Sequence, residues 1–230
     1  MKKLVALLFL NCLSFQVFSL GWFGNTLNGR QCEGNSQGFG PYDYFEVMAS
    51  GKDSELWNKA RLWEIDRIHY GKGNGHVADK STLTEIDYKL AMKEYDYTLR
   101  AYPNHVPALQ AVMDLERRRE RESAIRKVTI VPFKTPPECY FQRAIQFQPG
   151  QAHLYLAYAV YLHRQKQYEL AEHHYREAYK RDENPETAYN LGLLLFNKGD
   201  YDEARRYYQL AREKKFPLDG LDRLLKAKGH

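Results

Sequence analysis

The sequence predicts an all-α protein in which helical hairpins stack side by side into a solenoid. From residue 106 onward, apolar residues recur at helical spacing, with one interruption rich in proline. The last third of the chain also repeats itself with a shift of 33 positions. The matched pairs are Ala159 with Gly192, Ala171 with Ala204, Tyr175 with Tyr208, and Ala178 with Ala211. Repeats of this length bury a common core only when neighbouring hairpins stack, and their closest contacts admit only small residues.

Residues 1–19 have the features of a secretory signal peptide. Lys2 and Lys3 precede an apolar run, and small or branched residues lead to a cleavage position after Ser19. An uncleaved membrane anchor is the alternative, although the run is shorter than the roughly 20 residues that span a bilayer. Lipid attachment at Cys12 is a further alternative, disfavoured because Asn11 is not a small residue. We therefore expect a bacterial protein of the periplasm, or a secreted one, with no membrane span after cleavage.

Residues 20–51 are predicted to form an irregular arm. They are rich in glycine and show neither helical nor alternating periodicity. Their aromatic residues are too many for a solvated linker, so we expect them to pack against the rest of the protein. These residues are Trp22, Phe23, Phe39, Tyr42, Tyr44 and Phe45.

Residues 52–105 are predicted to form a helical region that contains a degenerate repeat. The segment 54–70 fits a helix, although its second half is also compatible with a short extended segment. The glycine-rich sequence GKGNG at 71–75 is expected to break the chain. Thr82 and Glu85 have the spacing of a capping box, so a helix is predicted from Leu83 to Ala101.

Residues 106–230 are predicted to form the stacked hairpins. The predicted parts are a split repeat (106–151), two regular repeats (152–184 and 185–217) and a capping helix (218–228). The proline-containing segment 126–137 splits the first of these repeats. The charged run ERRRERE at 116–122 is typical of a solvated helix face, and a basic docking edge around Arg117–Arg119 is the alternative.

The two regular repeats resemble the tetratricopeptide-repeat family. The later repeat carries the family pattern at Leu191, Gly192, Gly199, Asp200, Tyr201, Ala204, Tyr208 and Ala211. The earlier repeat carries it at Tyr155, Tyr158, Ala159, Leu162, Tyr168, Ala171, Tyr175 and Ala178. The strings GPYDY, YTLRAYPNH and ECYFQRAIQFQP are similar to exported bacterial members. The resemblance implies antiparallel helix pairs whose first helices line a concave binding face.

Counting repeat positions on that resemblance assigns ten residues to the concave face. They are His153, Leu156, Val160, His163, Arg164, Tyr189, Asn190, Leu193, Phe196 and Asn197. Their apolar members form a stripe, and an exposed apolar stripe marks a binding surface. Its occupant is expected to be either a partner protein segment or the chain's own N-terminal arm. A clamp for a C-terminal carboxylate is rejected, because Gln110, Asp114, Ala157 and Glu186 stand where its basic and amide groups belong.

Cysteine chemistry, metal binding and catalysis are each constrained by the sequence. After the signal, Cys32 and Cys139 form either one disulfide or two buried free thiols. Metal binding is not expected, because His173 and His174 are adjacent on a helix, and His153 and His163 lie about 15 Å apart. The sequence contains no phosphate-binding loop, nucleophile elbow or zinc-protease motif, so we predict no enzymatic activity and no cofactor.

The predicted function is that of an adaptor in the bacterial cell envelope. The formal net charge is only +5, and the signal accounts for two of these charges, which argues against nucleic acid as the ligand. The alternative is a glycan-binding module of an envelope enzyme system that uses the many aromatic residues.

Overall fold

A computed structural model describes residues 22–230 of the chain, so the predicted signal peptide lies outside the described residues. The helices are α1 Tyr44–Ser50, α2 Glu55–Ala60, α3 Leu62–Glu64, a π-helical turn Ile65–Tyr70, α4 Gly71–Val77, α5 Glu85–Ala101, α6 Val106–Arg126, α7 Pro137–Phe147, α8 Ala152–Arg164, α9 Tyr168–Arg181, α10 Pro185–Lys198, α11 Tyr201–Glu213 and α12 Gly220–Ala227. Within residues 22–230 the only β-pairing is one isolated bridge between Asn25 and Gln31. The predicted all-α class is confirmed.

The pairs α8–α9 and α10–α11 are antiparallel hairpins that interlock at small residues. A methyl group at Gly192 would lie 2.7 Å from Leu221 Cδ2 and 3.1 Å from the backbone oxygen of Ala204. Ala171 and Ala204 are fully buried. Gly199 ends α10 with a left-handed backbone at φ 89°, which glycine adopts without steric cost. The predicted hairpin solenoid is therefore confirmed, and its small residues lie at the contacts between helices.

The segment predicted to be a split repeat contains α6 and α7, which are separated by the non-helical segment 127–136. The buried Arg119 side chain holds this segment in place. Its guanidinium bonds Glu116 at 2.7 Å and donates to the Ile130 carbonyl oxygen at 2.9 Å. Burying an arginine requires such partners, since an unpaired buried charge is costly. Part of the charged run at 116–122 is therefore structural and does not form a solvated face.

Two expectations for residues 52–105 were wrong. The GKGNG sequence does not break the chain but forms most of α4, which continues from the π-helical turn. Packing against α5 outweighs the low helix propensity of glycine, because Gly73 lies against the Tyr95 ring and Asn74 accepts a 2.8 Å hydrogen bond from the Tyr95 hydroxyl. The capping box that begins α5 is Thr84 with Asp87, two residues later than predicted.

The arm (residues 22–43) lies against the second helices α5 and α7 of their hairpins. Cys32 and Cys139 form a disulfide that joins the arm to α7. Asn35 donates a 2.9 Å hydrogen bond to Asp96 of α5, and the Gln142 amide donates to the Asn25 carbonyl oxygen at 2.8 Å. The predicted irregular arm is confirmed for residues 22–43, but the prediction is wrong for Tyr44–Ser50, which form α1.

The opposite end of the stack is closed by α12, as predicted for a capping helix. Leu221 and Leu225 are fully buried against the preceding hairpin. A continuous core runs from Leu83 on the N-terminal side of α5 to Leu225. Across residues 22–230, no helix is both long enough and apolar enough to cross a bilayer.

Candidate partner-binding face

The first helices of the hairpins share one side of the molecule, here called the first-helix face and formed by α4, α6, α8 and α10. Five of the ten residues predicted for this face line one open pocket of about 390 Å³ between α8 and α10. They are Val160, His163, Arg164, Asn190 and Asn197. The family register therefore brings these side chains together in space, although they come from two different repeats.

Polar contacts at this pocket join His163 of α8 to α10 through Asn197 and to α9 through Tyr175. The Asn197 amide and the His163 Nε2 atom are 2.8 Å apart, and the His163 Nδ1 atom lies 3.5 Å from the Tyr175 hydroxyl. Burial lowers the pKa of His163, and the neighbouring Arg164 guanidinium lowers it further. The imidazole is therefore neutral near pH 7, so it acts as a hydrogen-bonding group rather than as a cation.

The predicted apolar stripe is present but is only partly open. Leu156, Val160, Leu193 and Phe196 are half-buried, and each packs against the core on its inner side. Their outer sides remain accessible next to the polar pocket. The stripe therefore offers a shallow apolar ledge rather than a fully exposed patch.

Two of the predicted face residues are covered by other parts of the chain. Tyr189 is 6% exposed, because the Phe216 ring lies 5.0 Å from its ring and the Leu221 amide donates to its hydroxyl oxygen. The prediction that Tyr189 is open to a partner is therefore wrong, since the capping segment covers it. His153 lies 4.5 Å from the Phe45 ring of α1, so it too is partly covered.

A second open pocket, of about 540 Å³, extends the first-helix face between α4 and α6. Its polar lining includes Asn74, Gln110, Asp114, Arg117 and Arg121. Arg164 of α8 reaches back toward this pocket, with its guanidinium 3.5 Å from Asp114. This pocket was not predicted from the sequence, because the glycine-rich residues 71–75 of α4 indicated a chain break. The heptad-like spacing of Gln110, Asp114, Arg117 and Arg121 was the available signal.

The described part of the arm does not occupy the first-helix face. It lies on α5 and α7. The disulfide holds it there, together with hydrogen bonds between residues more than 60 positions apart in the sequence. Residues 22–43 of the predicted arm therefore do not fill the concave groove, whereas Phe45, also within the predicted 20–51 arm, contacts His153 of α8. Both pockets are left open to solvent.

Groups of three or more metal-ligating side chains do not occur within residues 22–230. His163, which lines the α8–α10 pocket, contacts the neutral side chains of Asn197 and Tyr175. The face therefore offers shape, hydrogen bonds and charge for binding.

Comparisons with known proteins identify the repeats of the C-terminal part. Tetratricopeptide-repeat family models match residues 152–185 and 185–215. Three solved structures are similar: MamA from Desulfovibrio magneticus RS-1 (16% identity, TM-score 0.43, 76% of this chain and 93% of that one), the Yersinia enterocolitica type III secretion translocator chaperone SycD (20%, 0.38, 52% and 89%), and Pseudomonas aeruginosa PilF (18%, 0.42, 74% and 72%). No curated protein matches. Residues 152–215 are therefore two tetratricopeptide repeats.

Proposed function

We propose that this protein is a non-catalytic adaptor that binds a segment of a partner protein on the first-helix face. The observation that carries the proposal is the presence of two open pockets along one side of the stack, one between α4 and α6 and one between α8 and α10, linked by the Arg164–Asp114 pair. The capping segment covers Tyr189 and α1 contacts His153, whereas the two pockets stay open. Tetratricopeptide repeats serve as protein-interaction scaffolds, which is the general role that this architecture supports.

The place of action that we propose is the bacterial cell envelope. The signal-like residues 1–19 support export, and the Cys32–Cys139 disulfide is compatible with an oxidising compartment. Fractionation of cells with thiol trapping tests this proposal. A full-length chain found with free thiols in a reducing compartment would contradict it.

The glycan-binding alternative has less support. Sugar recognition through stacking requires exposed aromatic faces, whereas most tyrosines of the repeats pack inside the core, for example Tyr158, Tyr175 and Tyr207. A glycan array on the purified protein separates the two functions.

The adaptor proposal is tested by site-specific photo-crosslinking. A crosslinking amino acid at Asn197, which lies beside the α8–α10 pocket, is expected to capture a partner from an envelope extract. The same group at Lys180, exposed on the second helix α9, is the matched control and is expected to capture none. Leu193→Asp should abolish the crosslinked product formed from position 197, because packing apolar side chains against a carboxylate removes its hydration. Equal capture from Asn197 and Lys180 would contradict the assigned face.

A further inference from the structure

The first-helix face carries an excess of positive charge where α6 meets α8. Among the side chains lining the two open pockets, the cationic ones are Arg117, Arg118, Arg121, Arg164 and Lys166. Of the described residues, Asp114 is the only carboxylate in either lining. The nearly balanced composition of the whole chain conceals this local excess.

Internal ion pairs neutralise only part of this charge. Arg118 is paired with Glu122 at 2.8 Å, so its charge is compensated. Asp114 is shared by two arginines, with Arg117 at 3.6 Å and Arg164 at 3.5 Å. Across residues 22–230, neither Arg121 nor Lys166 has a carboxylate within the 4.0 Å range of an ion pair. Several exposed cations therefore remain available to an acidic ligand.

The cationic site adjoins the apolar ledge on the same face. Val160, Leu193 and Phe196 lie on α8 and α10, next to the pocket that contains Arg164 and Lys166. Neighbouring packed helices are about 8–10 Å apart, so α6 and α10 are separated by roughly 16–20 Å. An extended peptide covers that distance with about five or six residues. One short segment can therefore contact both the arginines and the ledge.

We propose that the partner segment is acidic at one end and apolar at the other. Its side-chain carboxylates bind Arg117, Arg121 and Arg164, and its apolar side chains pack on Val160 and Leu193. This inference rests on the adaptor function and specifies its ligand. It does not involve recognition of a chain terminus, because Ala157 and Glu186 replace the groups that would hold a terminal carboxylate.

The test is fluorescence anisotropy with the full chain and a set of short labelled peptides. The probe peptide has Asp and Glu in one half and Leu and Phe in the other, in both orders and with an amidated C-terminus. Its matched control replaces every Asp and Glu by Asn and Gln. We expect the acidic peptide to bind at least ten-fold more tightly than the amide control, with affinity that falls as salt increases.

Variants locate the binding on the molecule. The double variant Arg117→Gln, Arg121→Gln should weaken binding of the acidic peptide at least ten-fold. Leu193→Asp should also weaken its binding. Lys180→Gln removes an exposed cation from the second helix α9 and should change nothing. The arginines are exposed on one side of α6, so thermal melts should show unchanged folding.

Two outcomes overturn the inference in different ways. If acidic and amide peptides bind equally and both depend on Leu193, the ligand is apolar and not acidic, and the adaptor function stands. If no peptide binds while the Asn197 crosslinker still captures a partner, the proposed chemistry is also wrong. Failure of both the peptides and the crosslinking would remove the adaptor function itself.

Discussion

The regular repeats at 152–215 and the N-terminal part at 22–151 are stabilised in different ways. In the repeats, Gly192, Ala204 and Ala171 let hairpins approach until backbone and side chains touch. In the N-terminal part, an irregular arm joins α5 and α7 from outside through a disulfide and buried polar groups. The contrast shows that α6 and α7, which the segment 127–136 separates, gain stability from contacts with a distant part of the chain.

Buried polar side chains beneath the arm stabilise the N-terminal part, whereas the repeats rely on small residues. Asp96, 6% exposed, accepts hydrogen bonds from the Tyr140 hydroxyl at 2.8 Å and from the Arg100 Nε atom at 2.9 Å. Arg143 is 1% exposed, stacks on the Trp22 ring at 5.0 Å, and donates to the Leu99 carbonyl oxygen. Burial lowers the pKa of Arg143 to about 10, and the Asp96 carboxylate counteracts this shift.

Removal of the disulfide should have the largest effect. The double variant Cys32→Ala, Cys139→Ala opens a loop between residues 107 positions apart, so we expect a loss of about 4–5 kcal/mol in unfolding free energy. Urea unfolding gives the size of the effect. Hydrogen exchange gives its location, with faster exchange in α5 and α7 and little change in α10 and α11. Uniform acceleration across all helices would show that the two parts do not differ in this way.

The next largest loss of stability is expected when the buried Asp96 carboxylate is removed. Asp96→Ala leaves the Tyr140 hydroxyl and nearby arginines without their acceptor, and we expect a loss of about 3–5 kcal/mol. Asp96→Asn retains an acceptor oxygen and serves as the milder control. A loss below about 1 kcal/mol for the alanine variant would mean that the arm is held by the disulfide alone.

The repeats should respond instead to added volume. Gly192→Val places methyl groups against Leu221 and the Ala204 backbone, so we expect destabilisation by about 1–3 kcal/mol and faster exchange in α10 to α12. Gly150→Val is the matched control, because a methyl group at Gly150 has no heavy atom within 4 Å apart from those of the adjoining residues in the chain. Similar losses for both variants would indicate a general cost of replacing glycine rather than close hairpin packing.

The smallest expected effect is a pH dependence of the repeats. Burial, next to the Tyr155 and Tyr158 rings, lowers the pKa of His174 to about 4 from its ordinary 6.5. The unfolded chain therefore binds a proton first, so His174 stabilises the fold above pH 6.5 and this contribution is lost as the pH falls toward 4. Allowing for partial exposure, we expect a loss of about 1–2 kcal/mol over this range.

This pH effect is measured as the melting temperature from pH 7 to pH 4.5. His174→Leu should show a shallower decline than the parent chain, and His173→Gln, which removes a neighbour that also lowers the His174 pKa, should fall between the two. Parallel curves for all three proteins would assign the decline to other groups.

Much of the first-helix face was predictable from the sequence, and the errors of the prediction have definite physical causes. Val160, His163, Asn190 and Asn197 follow from the repeat register, because their positions depend on one helix and its immediate neighbour. Tyr189 was misassigned, because its cover comes from the Phe216 and Leu221 segment beyond the repeat. The α4–α6 pocket was missed, because local glycine content indicated a loop where packing on α5 produces a helix.

The sequence by itself determined the all-α class, the 33-residue period and the small residues at hairpin contacts, since these depend on periodicity within short segments. It left two arrangements open for Cys32 and Cys139, and two locations for the arm. Only the tertiary structure decided these, because they depend on contacts between segments separated by up to 117 positions. For the same reason, it alone placed Arg117, Arg121 and Arg164 together on one face.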